Sequence, residues 1–262
     1  MNCDETNAGK DAAGTGGSGK PAESRRSGGS AQSCPPYNPG LQEMVKGKQA
    51  WSEPLDDDAK AKGFRGWHQR GYLPHHDVPG VTQFVTLRLH DAMPASRRSE
   101  WEALLRIEDN RKRRTKLEEY LDRSLGECWL RQSRIAAVVE NALRFFEGQR
   151  YRLLAWVVMP NHAHVLVEVW QTPLAELLHS CKGFTARKAN RLLGRTGAFW
   201  EREYWDTRMR DEEQLRKAVR YIEANPVKAR LVKEAKEWAC SSARFRGEYG
   251  VLRLPTAAGE KG

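Results

Sequence analysis

The chain lacks what would carry it into a membrane. Its longest unbroken apolar run, Leu153 to Met159, is seven residues, against the roughly 20 needed to cross a bilayer. No basic-then-apolar layout opens the sequence, so no secretory leader is expected. Cysteine is sparse: five residues (Cys3, Cys34, Cys128, Cys181, Cys240), odd in number, scattered and without C-x-x-C spacing. That argues against a disulfide framework or a Cys-rich zinc site and suits reduced thiols in a cytoplasm. No internal repeat is visible. Large apolar side chains are few in residues 1–45, which are rich in Gly, Ser and Ala ("GTGGSGK", "SGGS"). Such a stretch cannot build a core and is expected to be a disordered tail.

Acidic residues are the minority. The 262 residues hold 44 Lys plus Arg against 34 Asp plus Glu, a formal net charge of +10. The first 45 residues carry four basic and five acidic side chains, so the rest carries 40 against 29. The whole excess, +11, falls in the part that reads as folded, which favours a polyanionic partner.

What is present is a regular alternation of elements. After a mixed lead-in from Trp51 to Pro79, "VTQFVTLRLHD" (Val81 to Asp91) alternates like a strand. Ser96 to Leu125 reads as a charged helix whose "NRKRR" run (Asn110 to Arg114) forms a solvated face. Ile135, Val138, Val139, Ala142 and Phe146 make a helical stripe, and so do Leu174, Leu177, Leu178, Cys181, Thr185 and Leu192. Between those helices lies "WVVMPNHAHVLVEVW" (Trp156 to Trp170), two strand-like flanks joined at Pro-Asn. "GAFWEREYWDTRMR" (Gly197 to Arg210) reads as extended. Asp211 and Gln214 have capping-box spacing for a last helix that should end near Pro226. The expected class is α+β, helices packed on an antiparallel sheet, with one domain over residues 46–250 and a flexible end over 251–262.

Two places carry chemistry. Strand side chains alternate, so His162 and His164 share a face, either as a metal pair or as a polar outer surface. On the last helix Tyr221 and Asn225 are four apart and share a face. The phenol could serve as nucleophile and the amide as a third ligand; otherwise they are a packed ring and a helix-ending Asn. His75 and His76 beside Asp77 read as a hydrogen-bonded loop cluster, and neither they nor His90 and His179 receive a role.

"LAWVVMPNHAHVLVE", "GECWL", "FTARKANRLLGRTGAFWEREYWD", "RKAVRYIEANPVKA" and "WACSS", with Tyr72-Leu73-Pro74-His75 and "QFVTLRL" upstream, together resemble a REP-associated tyrosine transposase, a branch of the single-tyrosine HUH transposases. The likeness covers about Trp67 to Arg246. It implies an HUH fold, a ferredoxin-like antiparallel sheet with packed helices. It places metal ligands on His162, His164 and Asn225 and the nucleophile on Tyr221. It further implies a divalent ion, Mg2+ or Mn2+, and single-stranded or hairpin DNA as partner, in a chain that is monomer or homodimer. Such an enzyme nicks and rejoins DNA through a 5′-phosphotyrosine, and nothing in the sequence says what activates the phenol. Lys182, Arg187, Lys188, Trp200 and Trp205 are candidate DNA contacts, cations for phosphates and aromatics for unpaired bases. Arg230 departs from the family, which usually has Gly there for a left-handed turn. Two rival readings are a hydrolytic metal nuclease with a structural Tyr221, and a retired, non-catalytic module that only binds hairpin DNA.

Overall fold

The computed structural model describes residues 54–70, 73–247 and 250–254. The expected tail over 1–45 and the chain end from 255 lie outside them. Asp56 caps a short helix, α1 (Asp57–Ala61), accepting the Ala59 N–H at 2.7 Å. The lead-in then forms a two-stranded ribbon, β1 (Gly66–Arg70) against β2 (Leu73–Asp77), rather than a loop. His75, His76 and Asp77 therefore sit on a strand, where they are buried.

β3 (Val81–Arg88) follows, then α2 (Arg98–Leu105) and α3 (Asn110–Asp122). The single helix expected from Ser96 to Leu125 is thus two. Asp109 is the reason: its side chain takes the Lys112 N–H at 2.7 Å, capping a new start. Next come α4 (Ser133–Arg144), β4 (Tyr151–Val158), β5 (His162–Val169), α5 (Leu174–Leu193), β6 (Trp205–Arg208) and α6 (Glu212–Lys228).

The sheet runs β4-β5-β3-β6, antiparallel throughout. Period-two alternation sorts its side chains onto two faces. Val85, Leu87, Val158, Ala163, Val165 and Val167 pack against Ile135 and Val139 of α4 and Leu174, Leu178 and Ala189 of α5. Phe84, Ala155, Val157 and Leu166 pack against Leu215, Ala218 and Ile222 of α6. A bulge between Leu153 and Ala155 re-phases β4 so that both its halves serve these faces. Helices on an antiparallel sheet are the class expected from the sequence.

α6 begins as its capping residues foretell: Asp211 accepts the Gln214 N–H at 2.8 Å, and the Gln214 amide oxygen returns to Arg210 N–H at 2.9 Å. It does not stop at Pro226. Proline removes one hydrogen bond and crowds the carbonyl four residues back, yet the helix runs on to Lys228. The end is a Schellman closure, Arg230 N–H to Val227 O and Leu231 N–H to Pro226 O, each at 2.9 Å. Arg230 occupies the left-handed position at φ 58°, where glycine would be unstrained.

Candidate active site

The two histidines stand at the start of β5, just after the Pro160-Asn161 turn. They share the α6-facing side of the sheet, with ring centres 4.6 Å apart. Both are fully buried. Each ring is held through Nδ1. Asn161 Nδ2 donates to Leu125 O at 3.1 Å, which fixes the amide and leaves its Oδ1 2.8 Å from His162 Nδ1. An amide oxygen can only accept, so His162 carries its proton on Nδ1 and presents a bare lone pair on Nε2. His164 Nδ1 lies 3.0 Å from Thr86 Oγ1, its neighbour across β3. Nε2 of both rings is buried without a hydrogen-bond partner.

Burial drives the His162 imidazole down to about 3, with the Lys228 charge adding to it. His164 is held well below its ordinary value by burial, by His162 and by Arg114 and Lys228. Both rings are therefore neutral at neutral pH, the state in which imidazole binds a metal.

α6 lies over them. Tyr221 packs edge-on to His164 with ring centres 5.6 Å apart, and Phe84 touches both rings at 5.1 and 6.0 Å. One turn on, Asn225 is fully buried, and neither its amide oxygen nor its amide nitrogen finds a partner. A buried amide left unsatisfied costs about 1–3 kcal/mol, a cost that a ligand to the oxygen would relieve. Among the described residues no group of three His, Cys, Asp or Glu could hold a metal. The donor set that fits a divalent ion is instead two imidazole Nε2 atoms and one amide oxygen, all orphaned.

The Tyr221 hydroxyl is buried without a well-formed hydrogen bond, and the Glu118 carboxylate is the acceptor near enough to act on it. Burial, then the nearby carboxylates of Glu118 and Asp122, push the phenol far above its usual value near 10. Those carboxylates belong to α3; of its basic run Lys112 is exposed, as a solvated face requires, while Arg114 turns inward. Arg114 lies over the Phe84 ring at 4.5 Å and pairs with Glu118 at 2.9 Å, while Asp122 pairs with Lys228 at 2.7 Å. Arg114, Glu118 and Asp122 recur every four residues, the one clue in the sequence that α3 turns a face inward. Gly126, in "GECWL", was also missed. Its φ is +89°, and a Cβ there would stand 2.4 Å from Asp91 O, so only glycine lets this loop bring Leu125 O to Asn161.

The candidate DNA contacts fare unevenly. Arg187 and Lys188 are exposed on α5. Lys182 is committed to the carbonyls of Glu201 and Arg202 at 2.6 and 2.8 Å. Trp200 is core, its indole N–H bonded to Thr185 Oγ1 at 2.9 Å, so it offers no face to a base. Trp205 is half-buried and already stacked on Trp101 at 5.5 Å, with Arg88 against it. An aromatic among charges reads the same in a sequence whether its ring points inward or out. His75 forms a buried pair with Asp206, consistent with the hydrogen-bonded role expected of it.

The family model described as "Transposase IS200 like" matches residues 130–225, a span that holds His162, His164, Tyr221 and Asn225. A REP-associated tyrosine transposase of Escherichia coli is 28% identical over 104 residues, 38% of this chain and 61% of that protein. A counterpart of Haemophilus influenzae is 26% identical over 110 residues, 37% of this chain and 61% of that protein. The chain therefore spans 61% of the length of these curated relatives. A solved REP-associated tyrosine transposase bound to a REP hairpin aligns with TM-score 0.43 and 18% identity, covering 71% of this chain and 89% of that one. The resemblance to REP-associated tyrosine transposases read from the motifs is shown by the sequence matches.

Proposed function

From the resemblance to IS200-like and REP-associated tyrosine transposases, we propose that this chain is a transposase-like enzyme that cuts and rejoins single-stranded or hairpin DNA through Tyr221. The observation that carries the reading is the convergence of three orphaned ligand atoms and a buried phenol. His162 and His164 meet edge-to-face, Tyr221 packs on His164, and Asn225 stands one turn along the same helix. A structural role would have left these atoms hydrogen-bonded.

His162, His164 and Asn225 would hold a divalent ion, Mg2+ or Mn2+. Once bound, it supplies Lewis-acid polarisation of the non-bridging phosphate oxygens. The protein does the rest. Asn161 and Thr86 fix the two imidazoles, and the closed packing of Phe84 and α6 excludes water that would compete with the phenol. Tyr221 Oη forms a bond to phosphorus as the bond to O3′ breaks. The leaving O3′ takes up the proton that the phenol gives up, so no net proton is consumed. The phosphotyrosine keeps the diester's bond energy, and a second 3′-OH can reverse the step. Exposed Arg187 and Lys188 are suited to the flanking phosphates. The working unit is taken as residues 46–250, in the cytoplasm. No described helix is long and apolar enough to cross a membrane.

The test uses end-labelled single-stranded hairpin oligonucleotides with randomised unpaired flanks and Mg2+. A denaturing gel should show a covalent protein–DNA adduct on the fragment's 5′ end. Tyr221→Phe should bind the same hairpins yet give neither nick nor adduct. Nicking by Tyr221→Phe at the normal rate would instead establish the hydrolytic nuclease, and hairpin binding without any nick would establish the retired module.

A further inference from the structure

Tyr221, Asn225 and Lys228 form one stripe along α6, at spacings of four and three. Helical side chains lean toward the N-terminus, and Lys228 reaches back over the site. Its ammonium lies 5.4 Å from the centre of the Tyr221 ring. The same charge is felt by His162 and by His164. It is half-exposed and held by Asp122 of α3 at 2.7 Å, whereas the Asp122 side chain is nearly buried.

We propose that Lys228 is a catalytic residue of the Tyr221 reaction, its ammonium hydrogen-bonding a non-bridging oxygen of the phosphate that Tyr221 attacks, with Asp122 holding it ready and competing for it until DNA arrives. This inference rests on the reading of Tyr221 as the nucleophile.

The chemistry needs such a group. A phenol crowded by Glu118 and Asp122 is electrostatically disfavoured as a phenolate, and an approaching phosphodiester is repelled by the same carboxylates. An ammonium has three N–H donors, so Lys228 can keep Asp122 and still take a phosphate oxygen. As Oη–P forms and P–O3′ breaks, negative charge grows on the phosphate oxygens beside it. Lys228 retains its protons throughout; the only proton moved is the phenol's, which ends on O3′.

A purely structural ion pair and a catalytic lysine make opposite demands on the two partners. Lys228→Gln in the full chain should slow adduct formation by about 100-fold, the scale of losing one oxyanion donor, with KM for the hairpin changed less than about 3-fold. Lys228→Arg should recover most of the rate. Asp122→Asn, which keeps the Lys228 charge but removes its anchor, should lower KM and reduce the rate of adduct formation far less than Lys228→Gln does. Hairpin binding in chelator gives an independent reading: the slope of log K against log salt should flatten by about 0.7 in Lys228→Gln, one single-strand phosphate. Both variants should fold, since a part-exposed ion pair contributes only about 0–1 kcal/mol. Parent-like cleavage by Lys228→Gln, or equal losses in the two variants, overturns the proposal. Should the parent form no adduct on Tyr221, the proposed function fails instead, and an unchanged salt slope would then dismiss the phosphate contact on its own.

Discussion

Asn161 acts on His162 through a single acceptor oxygen, and this is where the proposed ligand set is most exposed to test. Replacing it with Ala removes both the Nδ1 partner and the tether to Leu125 O while leaving both imidazoles in place. Asn161→Ala should lower metal affinity by about 10–100-fold, the usual cost of losing a group that orients a ligand. His162→Ala should abolish metal binding at the same concentrations. Calorimetric Mn2+ titration separates the two, and equal affinity in Asn161→Ala and the parent would show that the ring is fixed by packing alone.

Among the elements, α6 stores strain that can be released. Arg230 sits at φ 58° in a closure that asks for glycine, and a left-handed L-residue costs roughly 1–2 kcal/mol. Arg230→Gly should therefore raise the melting temperature by about 2–4 °C, read by calorimetry; a lower value would mean that the Arg230 side chain makes a compensating contact. Glu147, ahead of β4, offers a pH test. Burial raises its carboxyl to about 7, and it accepts the Leu153 N–H at 2.5 Å. Because the folded value lies above the unfolded one near 4.5, its contribution is full below about pH 4.5 and is lost as pH rises through about 7. Glu147→Gln, which can still accept that N–H, should stabilise the protein more at pH 8 than at pH 4.5. Melting curves with an equal gain at both would remove the buried-acid explanation. The same elements show what a sequence discloses. β4, β5 and the two histidines were legible because period two fixes faces within one segment. The start of α6 was legible because Asp211 and Gln214 are local. What was not legible is tertiary: Asp122 meets Lys228 across 106 positions, Trp200 chooses the core over solvent, and α6 passes Pro226 because the Schellman closure and the packing of Leu231 outweigh one lost hydrogen bond.

For the whole molecule the dominant property is the +11 excess over residues 46–262. Hairpin binding should weaken steeply with salt, each neutralised single-strand phosphate contributing about −0.7 to the slope of log K against log salt. Filter binding across a salt series reads this directly, and a slope shallower than about −1 would argue against nucleic acid as the main partner.

The outer edge of β4 is closed by a segment some eighty positions further on. Val158 N–H donates to Cys240 O at 2.9 Å, Trp238 Nε1 to Val158 O at 2.9 Å, and Trp156 N–H to Ser242 Oγ at 3.1 Å. Arg244 meets buried Glu140, which also takes the Trp156 indole N–H. Every residue of the proposed chemistry precedes this strap in the chain, so ribosomes finish the site before they finish the sheet. Until Trp238 to Arg246 has emerged, β4 presents open hydrogen-bonding groups to its neighbours, an invitation to pair with another nascent copy. The strap thus ties solubility during synthesis to a segment translated after the site is complete.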